Sequence, residues 1–393
     1  MSSRLKLTVK HIAYNMKLNC SVDYYVQNGL RKIKPYWNTR SSYVKGRWLN
    51  KTIAQVLKDE FHLTELEIQT RIKNGHCQIL RDNVAVDCNV DLIQNKDVYV
   101  SKQHNHEPPV LQWNEEASSS QLTNTAGIPV IYEDSKILVT NKPPGIPVHP
   151  TAYYYQNTLT EVLKNSLGYR VFPCHRLDKI TSGILIFAKD QETAGKFQAE
   201  IRDKTMQKFY LARVDGEFPS TPRTSTSPLF TFEPKKSLKG AFSSVKEAET
   251  VFERIGYDRT SNQSLVLCKP LTGRTHQIRI HLARLGHPIV NDPFYNIKNT
   301  SYPKRTQFMI DYEDWNSIPA EKLEYLFNEF IDEIEMVWRG LNNNCDVCGE
   351  CGEELPVDPS IKQLILYLHA WKYESDDKHF QTEYPIWAQG FLP

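Results

Sequence analysis

The feature that most constrains this chain is the apolar run GILIFA at 183–188, which follows directly on a polar turn. A short apolar run that includes β-branched and aromatic residues is typical of a buried strand. The turn before it, HRLDKITS at 175–182, places Arg176 and Asp178 two residues apart. The fold must therefore carry a charged loop at one end of a buried strand.

Length and pattern predict more than one domain. The chain has 393 residues, which indicates two or three domains. It divides into a basic and aromatic extension, a compact helix-helix-strand module, a polar linker and a larger domain, at 1–46, 47–101, 102–127 and 128–393. Strands and helices mix in the last segment without strict βαβ alternation, so we predict an α+β fold.

Composition limits the cellular compartments and the classes of partner that are compatible with this chain. The net charge of +2 does not by itself indicate nucleic-acid binding, and eight scattered or clustered cysteines are typical of a reducing compartment. No apolar run approaches the roughly 20 residues of a membrane span, so no membrane partner is expected. Residues 1–22 hold four Lys or Arg and no acid, as a mitochondrial presequence does. We predict the cytoplasm, with the mitochondrion as a second compartment.

A second polar constellation lies at 271–288, LTGRTHQIRIHLARLGHP. Residues 262–300 hold five Lys or Arg and one acid, Asp292. We expect a glycine turn that runs into a helix, on which His276 and Arg279 share one face. Such a face suits phosphate contacts. From the residues alone, a solvated basic helix stays an alternative.

Taken singly, the candidate catalytic residues have simpler interpretations. Asp178 beside an arginine is more often part of a salt bridge or a helix cap, and Tyr210 in KFYLARVDG could be a core residue. A glycosidase would require a second carboxylate nearby, and no other acid occupies a comparable turn.

Residues 298–362 form an acidic insertion. Apolar residues recur at helical spacing between 323 and 338, which predicts a helix with one buried face and one acidic face. An acidic face is a poor surface for contacting phosphate.

The insertion also contains the cysteine cluster CDVCGECG, with Cys345, Cys348 and Cys351. Cys345 and Cys348 have the spacing of half a zinc site, which Cys351 and a histidine such as His369 could complete. The alternative of reduced cysteines is favoured, so the sequence assigns no metal ligand.

Four stretches together resemble the RluA-type RNA pseudouridine synthases, in that family's order. HRLDKITSG resembles its HRLDxxTSG motif, and TGRTHQIRIHLARLGHPIVND, NKPPGIPVHP and KFYLARVDG resemble its C-terminal motif, its N-terminal motif and its tyrosine strand. The stretch NGLRKIKPYW resembles sequence found in the eukaryotic branch of this family, which acts on tRNA. The resemblance implies a central mixed, largely antiparallel sheet with flanking helices, and a small N-terminal RNA-binding module.

The resemblance also implies a role for each matched residue. Asp178 matches the family's nucleophile, which attacks either the ribose anomeric carbon or the uracil ring. Tyr210 matches the tyrosine that stacks on the target base, and Arg279 matches the arginine that pairs with the nucleophile. The glycosidic bond breaks, and uracil is rejoined through its carbon 5 without cofactor or metal.

Four further residues are expected to bind RNA. Arg176 can stack where the flipped base was, since base flipping leaves a gap in the RNA. His175 is expected to support the loop, and Arg274 and His276 to contact the RNA backbone.

We therefore predict a monomeric RNA pseudouridine synthase that isomerises a specific uridine in tRNA. Three alternatives remain: a catalytically inactive RNA-binding protein of the same fold, a synthase for rRNA or mRNA, and a hydrolase that releases uracil. A zinc deaminase is excluded because no histidine has a glutamate two residues on and no PCxxC occurs.

Overall fold

The computed structural model describes residues 23–61, 63–113, 125–233, 236–341 and 346–391. The chain forms two compact units. The N-terminal unit is built on Ile33–His106 and includes Gly349–Cys351. The C-terminal unit is built on Glu107–Cys348 and the residues from Gly352 onward, and it includes Tyr25–Lys32.

The strands follow one another along the chain as β1 Tyr24–Gln27, β2 Leu30–Ile33, β3 Tyr36–Tyr43, β4 Cys77–Arg81, β5 Val84–Ala85, β6 Val98–Asn105, β7 Val110–Leu111, β8 Val130–Glu133, β9 Ile137–Lys142, β10 Phe172–Pro173, β11 Ser182–Ala188, β12 Gln207–Asp215, β13 Arg223–Ser225, β14 Thr250–Asp258, β15 Gln263–Pro270, β16 Leu368–Glu374 and β17 His379–Gln381.

The α-helices are α1 Ile53–Phe61, α2 Glu65–Lys73, α3 Leu159–Leu167, α4 Gln191–Arg202, α5 Leu238–Ala241, α6 Gln277–Arg284, α7 Pro303–Asp311, α8 Ala320–Leu341 and α9 Ile386–Gln389. Short 3-10 helices lie at Gly46–Trp48, Trp315–Ser317 and Ile361–Leu364. Among the residues described, no helix combines the length and the apolar character that crossing a membrane requires.

The N-terminal unit packs α1 and α2 on a four-stranded sheet of order β3-β6-β4-β5. Helix α2 begins at a capping box, in which the Thr64 side chain accepts the Glu67 N–H and the Glu67 carboxylate accepts the Thr64 N–H. The core of the N-terminal unit is apolar and includes the buried side chains of Trp48, Ile53 and Ile68.

The boundaries of this unit differ from the predicted segments. The module was predicted to begin at residue 47, but β3 pairs with β6 along its whole length and so belongs to the same sheet. The linker was predicted to begin at residue 102, but β6 continues to Asn105, and β7 pairs with β2 in a separate three-stranded sheet. Residues 114–124 of that predicted linker lie outside the described residues.

The C-terminal unit is centred on a ten-stranded sheet whose main order is β13-β14-β15-β12-β16-β11-β9-β8. Strands β11 and β16 pair in parallel, and the other described pairs of this sheet are antiparallel. Helices flank the sheet, so the α+β prediction is confirmed. The GILIFA run is the centre of β11, and all its residues are buried.

Helix α6 lies between two apolar cores of the C-terminal unit. Ile278 and Leu282 belong to the main core, whereas Ile280 belongs to a second core shared with α7 and α8. The predicted acidic helix is α8, whose Phe330 is fully buried in that second core. Helices α7 and α8 of the insertion therefore pack on the C-terminal unit and cover one side of α6.

Gly183 allows β11 to approach β16. Its φ is +111°, and a Cβ at this position would lie 2.3 Å from the Ala370 carbonyl oxygen. The parallel pairing matches Ser182 with His369 and Gly183 with Ala370, so the two backbones meet where the polar loop enters the strand. Only glycine combines this φ with this contact at no steric cost.

We expect Gly183→Ala to lower the free energy of unfolding by at least about 2 kcal/mol, because the added methyl clashes with backbone that cannot rotate away. Urea denaturation followed by fluorescence measures the change. Gly195→Ala is the matched control, since a methyl added at this exposed α4 position would have nothing within 4 Å. The control should be neutral or slightly stabilising, and equal losses in both variants would contradict the clash.

Candidate active site

Three segments of the C-terminal unit surround a cleft of about 550 Å³. The loop before β11 contributes His175, Arg176 and Asp178. Strand β12 contributes Tyr210, and the turn and helix that follow β15 contribute Arg274, His276 and Arg279. The structure thus brings together every residue that the sequence assigned to the site.

A buried arginine bonded to two carboxylates forms the floor of this cleft. Arg279 donates through Nε and Nη2 to the two carboxylate oxygens of Asp292, at 2.7 and 2.8 Å. Its remaining terminal nitrogen, Nη1, lies 3.3 Å from Asp178 Oδ2. The Arg279 side chain is 2% exposed and that of Asp292 is 1% exposed, whereas that of Asp178 is 22% exposed. Asp178 is therefore the carboxylate that a molecule in the cleft can reach.

In the pair of Arg279 and Asp292, the attraction between opposite charges and the hydrogen bonds together shift the two pKa values more than burial does. Burial lowers the pKa of Arg279, but the charge and hydrogen bonds of Asp292, followed by the charge of Asp178, raise it above the ordinary arginine value. Burial raises the pKa of Asp292, but Arg279 and the N–H groups of Phe294 and Tyr295 lower it overall. Both side chains are charged at neutral pH.

His276 lies beside Asp178, but it does not lie on the helix where it was expected. It was predicted to share a helical face with Arg279, but α6 begins at Gln277 and His276 precedes it in the left-handed conformation, at φ 55°. Its Nε2 lies 3.5 Å from Asp178 Oδ2, and its Nδ1 is 2.8 Å from the Tyr295 hydroxyl. Desolvation, followed by the charge of Arg279, lowers the pKa of His276 to about 4, so the ring is neutral at pH 7.

A buried lysine is hydrogen-bonded to the backbone of the loop that carries Asp178. The ammonium of Lys142, at the end of β9, donates to the carbonyl oxygens of Pro143, Lys179 and Thr181 at 2.8–3.0 Å. Burial lowers the pKa of Lys142 to about 7, while the charge of Asp178 opposes this shift. Three acceptors match the three protons of an ammonium group, so these bonds also favour the charged form.

Tyr210 and His175 have fixed contacts at the side of the cleft. The Tyr210 hydroxyl lies 2.8 Å from that of Tyr373, and burial raises the pKa of Tyr210 to about 12, so it keeps its proton. His175 Nε2 accepts the N–H of Ile186 at 3.2 Å, which ties the loop to β11. Burial, followed by the charge of Lys208, lowers the pKa of His175 to about 3, so it is neutral.

The lining of the cleft is strongly basic. Seven Lys or Arg side chains line it, and Asp178 is the one acid among the described residues that do: the basic residues are Arg176, Arg202, Lys204, Lys208, Lys269, Arg274 and Arg279. Arg176 and Arg274 are exposed. Arg284 differs, because it donates to the carbonyl oxygens of Pro228, Met309 and Tyr312 and so supports the fold.

Sequence reasoning missed Asp292 and Lys142. Asp292 is the one acid among residues 262–300, and that isolation was a signal for the partner of a buried arginine. Lys142 lies in the NKPPG stretch, but its spacing did not indicate that a lysine there would be fully buried.

His369, which the sequence offered only as an alternative zinc ligand, is a structural residue of the main sheet. Its Nδ1 lies 2.8 Å from Ser182 Oγ and its Nε2 lies 2.7 Å from Thr382 Oγ1. Both ring nitrogens are thus hydrogen-bonded within the sheet, so His369 does not complete a cysteine site. Cys345, which formed the alternative half-site with Cys348, lies outside the described residues.

Comparison with known proteins identifies the class. Residues 136–284 match the family described as RNA pseudouridylate synthase. The Saccharomyces cerevisiae protein named tRNA pseudouridine(31) synthase is 42% identical and aligns over 94% of this chain and 98% of its own. The chain therefore belongs to the RNA pseudouridylate synthase family, and the predicted RluA-type resemblance and isomerase class are confirmed.

Two further matches extend the comparison. The Saccharomyces cerevisiae protein named tRNA pseudouridine(32) synthase, mitochondrial, is 36% identical over 92% of this chain and 78% of its own. The solved structure of Human RNA Pseudouridylate Synthase Domain Containing 4 is 21% identical over 66% of this chain and 89% of that one, with a TM-score of 0.40.

We expect Asp292→Asn to lower kcat by roughly 10- to 100-fold, because a neutral amide no longer holds Arg279 against Asp178 and small misplacements are costly. The KM for RNA should change by no more than a few fold. Steady-state kinetics on an RNA substrate measure both constants. Asp377→Asn is the control, since the Asp377 side chain is 71% exposed and pairs with Lys378 outside the cleft. A wild-type kcat in Asp292→Asn would contradict the orienting role.

We expect His369 to make the free energy of unfolding fall as the pH is lowered. Burial lowers its pKa to about 4, whereas the unfolded side chain titrates near about 6.5. As pH falls through this window the unfolded chain binds a proton that the folded chain does not, so stability falls. At pH 5 the loss is about 2 kcal/mol.

Urea denaturation at pH 7.5 and at pH 5 tests this dependence. His369→Asn should be less stable at pH 7.5 but should lose about 2 kcal/mol less on acidification. His379→Asn, at an exposed position of β17, is the control and should lose as much stability between pH 7.5 and pH 5 as the wild type. An unchanged acid loss in His369→Asn would assign the effect to another group.

Proposed function

We propose that this protein isomerises a uridine of tRNA to pseudouridine, with Asp178 as the nucleophile. The observation that carries the proposal is the reachable Asp178 carboxylate, 3.3 Å from an arginine that Asp292 fixes. A nucleophilic carboxylate must be ionised and positioned, and a neighbouring guanidinium favours both. Family membership supports the reaction class.

The reaction rearranges bonds within one nucleotide. Asp178 attacks either the ribose anomeric carbon or the uracil ring, and the glycosidic C–N bond breaks. Uracil turns, a C–C bond forms between its carbon 5 and the ribose anomeric carbon, and the bond to Asp178 breaks, which regenerates the carboxylate. The proton lost from carbon 5 is balanced by one gained at nitrogen 1. No atom is added or removed, so this proposal assigns no cofactor.

Tyr210 holds the uracil in this proposal. Its phenol stays protonated at neutral pH, so it offers an aromatic face to the base and does not act as a base itself. Stacking on an aromatic ring leaves the hydrogen-bonding edge of the uracil available.

The basic side chains bind the RNA around the flipped nucleotide. Removing a uridine from an RNA stack costs a few kcal/mol, and a guanidinium that fills the gap offsets part of that cost. Exposed Arg176, two residues from Asp178, suits this role. Arg274 and the cleft lysines are placed to contact phosphates, and neutral His276 and His175 support the loop and turn.

The substrate is inferred from the relatives. The relative that is 42% identical is named for position 31 of tRNA, so we assign this chain to position 31. Position 32 is the second candidate, because the relative at 36% identity is named for it. That second relative is named mitochondrial, which supports the mitochondrion as one compartment. The cytoplasm and a monomeric state stay predictions.

We expect wild-type protein to produce a carbodiimide-dependent primer-extension stop on an unmodified tRNA transcript, and Asp178→Asn to produce none, because an amide cannot act as the nucleophile. Two substituted transcripts locate the target. A C31 transcript should abolish the stop and a C32 transcript should keep it.

Asp376→Asn, an exposed change in the same unit, is the matched control and should keep full activity. Fluorescence anisotropy should give Asp178→Asn an RNA affinity within a few fold of the wild type. A stop retained by Asp178→Asn would overturn the mechanism, and release of free uracil would indicate a hydrolase. Binding without a stop would favour the non-catalytic alternative or another RNA, which rRNA and mRNA transcripts distinguish.

A further inference from the structure

Four metal-binding side chains lie together outside the cleft. They are His104, His106, Cys348 and Cys351, and one ligand atom from each lies within 4.8 Å of all the others. Three of them belong to the N-terminal unit, and Cys348 directly precedes Gly349 of that unit. None of the four takes part in the proposed isomerisation.

The two histidines come from the end of one strand. His104 is in β6 and His106 follows its last residue, so the H-x-H spacing puts both side chains on the same face. His104 Nδ1 and His106 Nε2 are 3.0 Å apart, and Cys351 Sγ lies 3.4 Å from His106 Nε2. Ligand atoms of a tetrahedral zinc site lie roughly 3.3–3.8 Å apart, given ordinary Zn–N and Zn–S distances.

The two cysteines come from one tight turn. The Cys348 N–H donates to the Glu353 carbonyl, and the Gly352 N–H donates back to the Cys348 carbonyl, both at 2.9 Å. Gly352 has φ +74°, which lets the chain reverse immediately after Cys351. The C-x2-C spacing within such a turn is the usual way in which two thiolates reach one zinc ion.

The surroundings orient His104 as a ligand. Its Nε2 lies 3.4 Å from the Glu350 carboxylate, which also accepts the indole N–H of Trp37 at 3.1 Å. The Trp37 ring lies 4.6 Å from the His104 ring and opposes it across the β3–β6 pair. A carboxylate on one imidazole nitrogen directs the other nitrogen to the metal, as in carboxylate–histidine–zinc arrangements.

We propose that His104, His106, Cys348 and Cys351 bind one Zn²⁺ ion in a closed structural site. Two thiolates and two imidazoles in this geometry select zinc over hard cations such as Mg²⁺. Four protein ligands leave no open position for water or substrate, so the ion stabilises the fold around β6 and takes no part in catalysis. This ligand set differs from the alternative that the sequence offered, in which Cys351 and His369 would have completed a half-site of Cys345 and Cys348.

Metal analysis of the full-length protein tests the site. Protein purified without a histidine tag and dialysed against metal-free buffer should retain about one zinc per chain by mass spectrometry. Cys351→Ser and His106→Asn should each lower zinc retention by at least fivefold. Cys88→Ala is the matched control, because it removes a buried thiol of the same unit that lies outside the cluster, and it should retain zinc.

Cobalt substitution of the wild type tests the ligand set even where a variant folds poorly. Co²⁺ added to protein stripped of zinc should produce the intense visible bands of a tetrahedral ion together with sulfur-to-cobalt charge transfer. One equivalent of Zn²⁺ should abolish both and should raise the thermal midpoint. Wild-type protein that retains no zinc and gives no tetrahedral cobalt spectrum would overturn the proposal and leave a hydrogen-bonded cluster of imidazoles and thiols.

Discussion

The active cleft depends on the buried pair between Arg279 and Asp292. Both side chains are at most 2% exposed, so neither charge could be kept there without the other. The bidentate contact uses Nε and Nη2 and leaves Nη1 to face Asp178. The pair therefore fixes a positive charge at one point of the cleft floor, and Asp178, the proposed nucleophile, lies against it.

The fold supplies rigid supports for both sides of this contact. Helix α6 carries Arg279 and is held by two apolar cores, through Ile278 and Leu282 on one side and Ile280 on the other. The Asp178 loop is held by the Lys142 ammonium and by the close pairing of β11 with β16 at Gly183. The buried lysine and the glycine therefore fix the backbone of the loop that carries Asp178.

Local pattern predicted the elements that carry the site, but not the long-range partners within it. Asp178, Tyr210 and Arg279 lie in stretches whose resemblance to a family was visible. Lys142 was hidden because burial of a lysine depends on carbonyl oxygens 37 and 39 residues away. The cysteine turn was visible, but its histidines were not: the chain separates Cys351 from His106 by 245 positions, and only folding reveals that β6 ends beside it.

The charge distribution is compatible with the proposed use of a carboxylate nucleophile on a polyanionic substrate. Seven basic side chains line the cleft, and the single acid among its described lining residues lies on the floor against Arg279. Phosphates are attracted to the basic lining and repelled by Asp178, whereas a flipped uracil is uncharged and meets no such barrier. Arg279 offsets part of the negative charge of Asp178, so the cleft presents the proposed nucleophile to the base and its cations to the RNA backbone. In the proposed function, different side chains therefore bind the RNA and attack it.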